Sequence, residues 1–254
     1  MEMIQTAAIG PTTDVELLPF SETAVLVEFG KGIHPETYRK VRALAQYLER
    51  HPFPGMREYI SAYSSVTVLY DPVRVKQEQE RIRDDQPVYQ FVASMLQEMI
   101  DHLDCSTRKQ VRTVQIPVCY GGEFGPDLEY VANSHQLLPE EVIEIHSTGK
   151  YLVYMIGFAP GFPFLGGLDE RIATPRRSSP RLKIPVGSVG IAGMQTGVYP
   201  LETPGGWQLI GRTPLALFRP AENPPSFLRA GDIIRFSPIS PAEYTAYKEE
   251  RTCR

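Results

Sequence analysis

Glycine and proline are concentrated in one segment of this chain. Residues 157–214 hold 11 of its 20 glycines and 8 of its 23 prolines. Glycine reaches backbone angles that other residues rarely adopt and proline fixes its own φ, so this segment specifies many separate bends. Apolar runs of strand length lie between the bends, at residues 184–191, 197–201 and 207–210. The segment therefore predicts a compact β-barrel or sandwich.

Disorder is the alternative explanation of so much glycine and proline. Disordered segments lack the hydrophobic side chains that a core needs. This segment interleaves its bends with large apolar side chains, namely Phe158, Phe162, Phe164, Leu165, Tyr199 and Trp207. We therefore expect it to fold.

The bulk properties are those of an ordinary globular protein. A chain of 254 residues exceeds the usual size of one domain, so two domains are expected. Hydrophobic residues make up 42% of the chain, and its formal net charge is −4. Nucleic-acid binders usually carry a basic stripe, whereas the strongest basic cluster here is interrupted by prolines. We expect no nucleic-acid partner, although the cluster could bind one small anion.

The first part of the chain alternates strand and helix patterns. Apolar residues of period two predict strands at residues 15–20, 24–29, 58–63 and 65–70. A helix is predicted from Pro35 and another from Pro87, because proline suits a first turn and apolar residues then recur at helical spacing. The order β-β-α-β-β-α predicts a small α/β sandwich domain over residues 1–107. The charged residues 78–85 between the last strand and the second helix are interpreted as a solvated linker or helix.

The second part, residues 108–254, is predicted to be mostly β. Strands are expected at residues 112–120, 151–158 and 232–236, besides those of the glycine-rich segment. Residues 121–127 form a turn before a short helix, and a further helix runs from Pro139 to about His146. A polar helix over residues 241–251 follows the last strand. The whole chain is thus predicted to be α+β.

The sequence also limits compartment and chemistry. Its three cysteines, Cys105, Cys119 and Cys253, are too few for a disulfide framework and form no metal-binding pair. The N-terminus lacks a signal-peptide pattern, and no stretch is apolar enough to span a membrane. We expect a cytoplasmic protein without a metal site or membrane contact. Signatures of serine hydrolases, phosphate-binding loops and zinc proteases are absent, which weakens the case for an autonomous enzyme.

Three groups of residues are candidates for a binding site. His146 either sits at a helix end as a cap or packing residue, or belongs to a site. Phe158, Phe162 and Phe164 project from a backbone that is stiffened by proline, so they either form core or line an apolar recess. Arg176, Arg177 and Arg181 could fork onto a carboxylate or phosphate, or form scattered ion pairs on a solvated loop.

An ordered series of motifs resembles the family of KipI and the 5-oxoprolinase B subunit, also called allophanate hydrolase subunit 1. The motifs are Gly121-Gly-Glu-Phe-Gly-Pro-Asp-Leu128, Gly157-Phe-Ala-Pro-Gly-Phe-Pro-Phe-Leu-Gly166, Pro175-Arg176, Pro180-Arg181, Pro185-Val-Gly-Ser-Val189, Gln195-Thr-Gly-Val-Tyr-Pro200, Pro204-Gly-Gly-Trp207 and Gly211-Arg-Thr-Pro214. Gln195, Tyr199, Trp207 and Arg212 within these motifs complete the candidate binding residues. The resemblance extends from about residue 15 to residue 236.

The resemblance implies a small N-terminal α/β domain followed by a cyclophilin-like β-barrel. It implies one of three roles. The first is the B subunit of an ATP-dependent 5-oxoprolinase, which opens 5-oxoproline to glutamate together with a KipA-like C subunit and an A subunit. The second is a KipI-like inhibitor that binds a sensor histidine kinase and blocks its autophosphorylation. The third is half of the carboxyltransferase part of urea carboxylase.

We favour the role of the 5-oxoprolinase B subunit, with ATP used by the complex. The missing catalytic signatures suit a protein that completes a site only with its partners. The three arginines would then hold an anion, and residues 157–164 with Trp207 would wall an apolar recess. The kinase-inhibitor alternative uses the same recess for a protein segment and stays open. Likeness to cyclophilin does not imply prolyl isomerase activity, because function resides in the site and not in the fold.

Overall fold

The computed structural model describes residues 15–32, 34–78, 87–103 and 111–252. The chain divides into two compact units, Met1–Arg108 and Lys109–Arg254. The domain boundary predicted at residue 107 falls outside the described residues, as do Cys105, Cys253 and most of the charged residues 78–85.

The described residues of the first unit form a four-stranded antiparallel sheet and three helices. Its elements are β1 (Glu16–Ser21), β2 (Ala24–Glu28), α1 (Pro35–Arg50), β3 (Met56–Ser61), β4 (Ser65–Tyr70), α2 (Pro72–Glu78) and α3 (Val88–Asp101). The strands neighbour one another in the order β1-β2-β4-β3. All four predicted strands and both predicted helices are present. Helix α2 was not predicted. It lies in the charged segment after β4, and its Val75 is buried.

One face of this sheet packs against helices. Helix α1 contacts β3 and β4, whereas α3 contacts β1 and β2. The fully buried side chains on the covered face and on the helices form one core, which includes Val25, Val27, Val66, Val68, Tyr70, Val41, Leu44, Leu48, Val75, Val92 and Leu96. The apolar positions predicted for the α1 face therefore lie in the core. The expected α/β sandwich is confirmed.

The second unit contains the predicted barrel. Its strands are β5 (Thr113–Tyr120), β6 (Tyr151–Ile156), β7 (Pro163–Gly166), β8 (Arg181–Ile184), β9 (Ser188–Ala192), β10 (Gln195–Val198), β11 (Thr203–Gly205), β12 (Gln208–Arg212) and β13 (Ile233–Pro238). Seven of them close a barrel in the order β10-β7-β6-β13-β5-β12-β9, while β8 and β11 form a separate two-stranded ribbon. The pair β5–β13 is parallel, and the other pairs are antiparallel. The predicted α+β fold with a β-barrel is confirmed.

One strand prediction in this unit is wrong. Residues 184–191 were expected to form one strand, but the chain leaves β8 at Ile184 and enters β9 at Ser188. The turn between them contains Pro185 and Gly187, and Gly187 has a φ of +83°. A glycine at such a φ bends the chain where the apolar letters alone suggest continuity. The run therefore supplies one strand to the ribbon and another to the barrel.

Three helices complete the second unit over the residues that the structure describes. They are α4 (Leu128–Ser134), α5 (Pro139–Thr148) and α6 (Pro241–Thr252), and a single turn of 3-10 helix lies at Glu170–Ile172. Buried residues of α4 and α5 share one core with the barrel strands. In the part of the chain that the structure describes, no helix has the length and apolarity that crossing a membrane requires.

Candidate functional site

Three predicted site residues form an aromatic cluster in the second unit. The ring centroids of Phe162 and Trp207 lie 5.7 Å apart and those of Phe162 and Tyr199 lie 5.5 Å apart, both edge to face. The three side chains are buried together with Ile184, Ala192 and Leu209. Edge-to-face pairs at this distance add to the stabilisation from burial. The cluster joins the β8–β11 ribbon and the loop before β7 to the barrel.

Two glycines provide the surface on which these rings lie. Gly190 and Gly197 stand directly opposite each other in the β9–β10 pair. A Cβ at Gly197 would lie 2.9 Å from Trp207 Cζ3 and 3.0 Å from Phe162 Cζ, and a Cβ at Gly190 would lie 3.1 Å from Trp207 Cβ. A methyl group at Gly197 would therefore force the ring or the strand to move, and one at Gly190 would require its neighbours to give way by a few tenths of an ångström.

The remaining predicted phenylalanines border the cluster. Phe164 is half-buried, and its centroid lies 5.0 Å from that of Phe162. Phe158 is 67% exposed and has a φ of +67°, an unusual conformation for a bulky residue. The sequence left two alternatives for these rings, core or the lining of an apolar recess. Phe162 belongs to the core, whereas Phe158 presents its ring to solvent. The space beneath the loop is filled by the cluster itself.

A buried carboxylate lies beside the cluster. Arg181 Nη2 and Arg177 Nη1 donate to Asp127 Oδ1 over 2.7 and 3.1 Å, and the Leu209 backbone N–H donates to Asp127 Oδ2 over 2.7 Å. The backbone N–H of Asp127 donates to the Leu209 carbonyl over 2.9 Å. Asp127 thus bonds both the backbone N–H and the carbonyl of Leu209, as a neighbouring strand would do along β12.

The role of Asp127 was not predicted from the sequence. It lies in a motif that was interpreted only as a turn before a helix, and it does occupy the position before α4. Its side chain forms no hydrogen bond with that helix. Aspartate before a helix usually caps it, so the sequence offers no sign that the carboxylate turns to two distant arginines instead.

The arginine group and the aromatic cluster adjoin each other at Tyr199. Burial raises the pKa of Tyr199 to about 12, and the positive charges of Arg176 and Arg181 act against that rise. Gly205 pairs with Arg181 in the ribbon, and a Cβ there would lie 2.6 Å from the Tyr199 hydroxyl oxygen. The guanidinium groups of Arg176, Arg177 and Arg181 therefore lie here with one carboxylate, that of Asp127, which leaves an excess of positive charge. We call this group of four residues the cationic corner.

His146 lies elsewhere, in the core shared by the barrel and α5. Its ring is fully buried and stacks on Phe236 at 4.5 Å. Nε2 lies 2.9 Å from Thr196 Oγ1, and Nδ1 lies 2.8 Å from the Tyr120 hydroxyl. The Thr196 hydroxyl donates to the Gly190 carbonyl, so it accepts from Nε2–H, and Nδ1 then accepts from Tyr120. Burial lowers the pKa of His146 to about 3, so it is neutral and serves packing.

Two further candidates are not members of the aromatic cluster. Arg212 stands over the Phe124 ring at 5.9 Å from its centroid. Gln195 is half-buried at the start of β10, beside the hairpin turn that joins β9 to β10. The structure therefore brings together Phe158, Phe162, Phe164, Arg176, Arg177, Arg181, Tyr199 and Trp207. His146 and Arg212 make their contacts with other residues.

Two potential nucleophiles of the barrel are buried. Cys119 is buried, and desolvation raises the pKa of its thiol. Ser188 is fully buried on β9. Across residues 15–32, 34–78, 87–103 and 111–252, no group of three histidine, cysteine or acidic residues is arranged to hold a metal ion. What the arrangement offers is recognition: a cationic corner beside an aromatic surface.

Comparison with known proteins gives a family match over most of the chain. Residues 15–228 match the carboxyltransferase domain, subdomain C and D. The chain is 55% identical over 241 residues to the 5-oxoprolinase B subunit of Bacillus subtilis (strain 168), which covers 94% of this chain and 99% of that protein. It is 42% identical over 217 residues to the 5-oxoprolinase B subunit of Escherichia coli O157:H7, with coverage of 85% and 93%.

A solved structure agrees with this match. The crystal structure of TTHA0988 is 35% identical in sequence and superposes with a TM-score of 0.71 over 85% of this chain. The chain spans 40% of the length of TTHA0988. The two units described above therefore also occur inside a longer polypeptide.

Proposed function

The chain belongs to the family of the carboxyltransferase domain, subdomain C and D, and on that basis we propose that it is the B subunit of an ATP-dependent 5-oxoprolinase. In this role it converts 5-oxoproline to L-glutamate together with a KipA-like C subunit and an A subunit. The observation that carries the proposal is the 55% identity to a 5-oxoprolinase B subunit over 94% of this chain and 99% of that protein. Similarity over both whole lengths concerns the entire protein rather than one shared fold.

The burial of potential catalytic groups supports a role within an assembly. Cys119, Ser188 and His146 are closed off from substrate by the packing of the barrel. Opening a lactam at the expense of ATP requires binding of phosphate and activation of water. Partner subunits supply the groups for that chemistry in our proposal, and this chain supplies binding and orientation.

The cationic corner is the part of this chain that would hold an anionic group. Asp127 neutralises only one of the three guanidinium charges of Arg176, Arg177 and Arg181. Arg176 is exposed and forms no ion pair with the described residues. A carboxylate of 5-oxoproline or a phosphate of ATP suits the forked geometry of a guanidinium. Arg176 would contact the anion directly, while Asp127 positions Arg177 and Arg181 beside it.

The exposed edge of the aromatic cluster would complete this site. Phe158 presents its ring beside Phe162, which fixes it edge to face at 5.4 Å. A rigid aromatic edge next to a cation offers both an apolar and a charged contact to a small ring-shaped acid or to a partner protein. Gln195 and Arg212 are proposed as partner contacts.

Reconstitution tests the proposed function. The A and C subunits are mixed with ATP and 5-oxoproline, with and without this chain, and glutamate is measured. We expect glutamate only when all three proteins are present. A parallel reaction replaces this chain by its Asp127→Asn variant, which disrupts the cationic corner and should give less glutamate. A wild-type complex that size-exclusion chromatography shows to be assembled, and that yet forms no glutamate, contradicts the proposal.

A further inference from the structure

In the part of the first unit that the structure describes, helices pack on only one face of the four-stranded sheet. Helices α1 and α3 cover the face that carries Val25, Val27, Val66 and Val68. Side chains alternate between the two faces of a strand, so the residues between these valines point the other way. We call this second side the open face and define it by Glu16, Leu18, Leu26, Glu28, Glu58, Ile60, Ser65, Thr67 and Leu69.

A row of three aliphatic residues and one threonine, which we call the apolar row, crosses the open face. Leu18 stands opposite Leu26, Leu26 opposite Thr67, and Thr67 opposite Ile60. Leu18 and Ile60, which lie on the two outer strands, are 41% and 54% exposed. With about 4.8 Å between neighbouring strands, the row is roughly 14 Å wide. Exposed apolar side chains that are grouped on one face of a sheet are a candidate interaction site.

Unpaired acidic residues flank the row. Glu16 and Glu28 stand directly opposite each other in the β1–β2 pair. Like charges in opposed positions destabilise a sheet. Neither of them, nor Glu58 near the other edge of the face, forms an ion pair with any residue in the described ranges. Arg57, next to Glu58, is already paired with Asp71. The repulsion between Glu16 and Glu28 therefore lacks compensation by an ion pair among the described residues of this unit.

We propose that the open face docks a companion subunit of the 5-oxoprolinase through an apolar patch flanked by lysine or arginine. This inference rests on the proposed function, which requires partner subunits. Charge complementarity identifies the occupant: a cation placed between Glu16 and Glu28 relieves their repulsion, and an apolar centre with a charged border is the usual anatomy of an interface. A second copy of this chain does not fit, because the open face contains acidic residues and no basic one.

The test measures binding of this chain to the A and C subunits by calorimetry, for wild type and three variants. Ile60→Arg places a cation in the apolar row, and Glu28→Lys removes the acidic pair. Val73→Arg on α2 is the matched control, because Val73 is an exposed apolar residue of the same unit outside the open face. Far-UV circular dichroism and urea unfolding establish that each variant is folded.

We expect Ile60→Arg to weaken binding at least tenfold, with Val73→Arg within twofold of wild type. Glu28→Lys should weaken binding and reduce its dependence on salt. The inference is overturned if Ile60→Arg and Glu28→Lys both bind the partner subunits as tightly as wild type does. It is also overturned if the wild-type chain forms a homodimer that Ile60→Arg dissociates. If wild type and Ile60→Arg assemble and make glutamate equally, only this inference fails. If the wild-type chain binds neither partner, the inference and the proposed function fail together.

Discussion

The side chains of Asp127 and Arg181 meet across 54 residues of sequence, with Arg181 Nη2 donating to Asp127 Oδ1 over 2.7 Å. The same carboxylate accepts from Arg177 and from the Leu209 backbone. One acidic group thus ties the start of α4, the ribbon strand β8 and the barrel strand β12 together. It also sets the position of two of the three guanidinium groups proposed to face an anion.

Replacing Asp127 by asparagine should destabilise the second unit. The change leaves two guanidinium groups facing a neutral amide. We expect the free energy of unfolding to fall by about 1–3 kcal/mol, less than the ~3–5 kcal/mol of a fully buried pair, because the Arg181 and Arg177 side chains are 23% and 37% exposed. Urea unfolding followed by circular dichroism measures the change.

The matched control for this prediction is Asp169→Asn. Asp169 pairs with Arg171 at 2.8 Å on the surface. Such exposed pairs contribute about 0–1 kcal/mol. Equal losses for the two variants would contradict the central position given to Asp127.

Replacing Arg176 by glutamine should weaken substrate binding in the assembled enzyme without altering stability. Arg176 is exposed and has no ion pair within the described residues. A lost hydrogen bond to a charged group is worth about 1.5–3 kcal/mol, less where water screens it, so we expect KM for one substrate to rise about tenfold with kcat nearly constant.

Steady-state kinetics with 5-oxoproline and ATP varied in turn show which substrate the arginine contacts. Arg235→Gln, on an exposed arginine of β13, is the control and should leave both KM values unchanged. If Arg176→Gln also leaves both values within twofold, the anion site is misassigned.

Adding one methyl group at Gly197 should displace the aromatic cluster. The new Cβ would lie 2.9 Å from Trp207 Cζ3, so the ring or the strand must move. We expect Gly197→Ala to cost about 1–3 kcal/mol, as overpacking of a core does. Trp207 is the only tryptophan of the chain, so its fluorescence should shift to longer wavelength as the ring gains contact with water.

Gly206→Ala tests whether this effect is local. The nearest atom to a Cβ at Gly206 is Pro180 Cγ at 3.6 Å, an ordinary contact. This variant should keep the wild-type emission spectrum and change stability by less than about 1 kcal/mol. A blue-shifted or unchanged spectrum for Gly197→Ala would show that the strand accommodates the methyl group.

His146 should make the protein less stable in acid. Its pKa is about 3 in the folded state and about 6.5 when unfolded, so between these values the unfolded chain binds the extra proton. The contribution of neutral His146 is therefore complete above pH 6.5 and declines as the pH falls toward 3. The loss is on the order of several kcal/mol at the acid end, since one pKa unit corresponds to about 1.4 kcal/mol.

The variant His146→Phe isolates this contribution. At pH 7 it should be less stable than wild type by about 1–3 kcal/mol, because the Tyr120 hydroxyl loses its acceptor. The difference should shrink below pH 6 and reverse near pH 4, as measured by thermal unfolding at each pH. His51→Phe, on an exposed histidine, should retain the acid sensitivity of wild type. Parallel pH curves for wild type and His146→Phe would contradict the assignment.

Most elements of the fold were predictable from local patterns. The helix expected from Pro35 begins there, since proline and four apolar positions of one face act within a single turn or two. The split of residues 184–191 was missed because an apolar run does not reveal that Gly187 takes a positive φ. Strand β11 was also missed, since Thr203–Gly205 is too short to show alternation.

The candidate site was predictable in its residue types but not in its contacts. The motif containing Phe162 and the one containing Trp207 suggested aromatic neighbours, and the rings do meet. The sequence left open whether His146 is a site residue or a packing residue, and its complete burial indicates a packing role. The partner of the arginines, Asp127, carries no local mark, because nothing in a Gly-Pro-Asp turn distinguishes a capping carboxylate from one that turns away.

By itself, the sequence determined where the backbone bends, which faces of its helices and strands are apolar, and that a barrel would follow a smaller α/β unit. Those properties depend on neighbouring residues, which interact whatever the rest of the chain does. Only the tertiary structure decided that Gly190 and Gly197 would stand together beneath Trp207, and that Asp127 would hold Arg181. Such pairings depend on strand register and barrel closure, where burial of the whole core selects which distant residues meet.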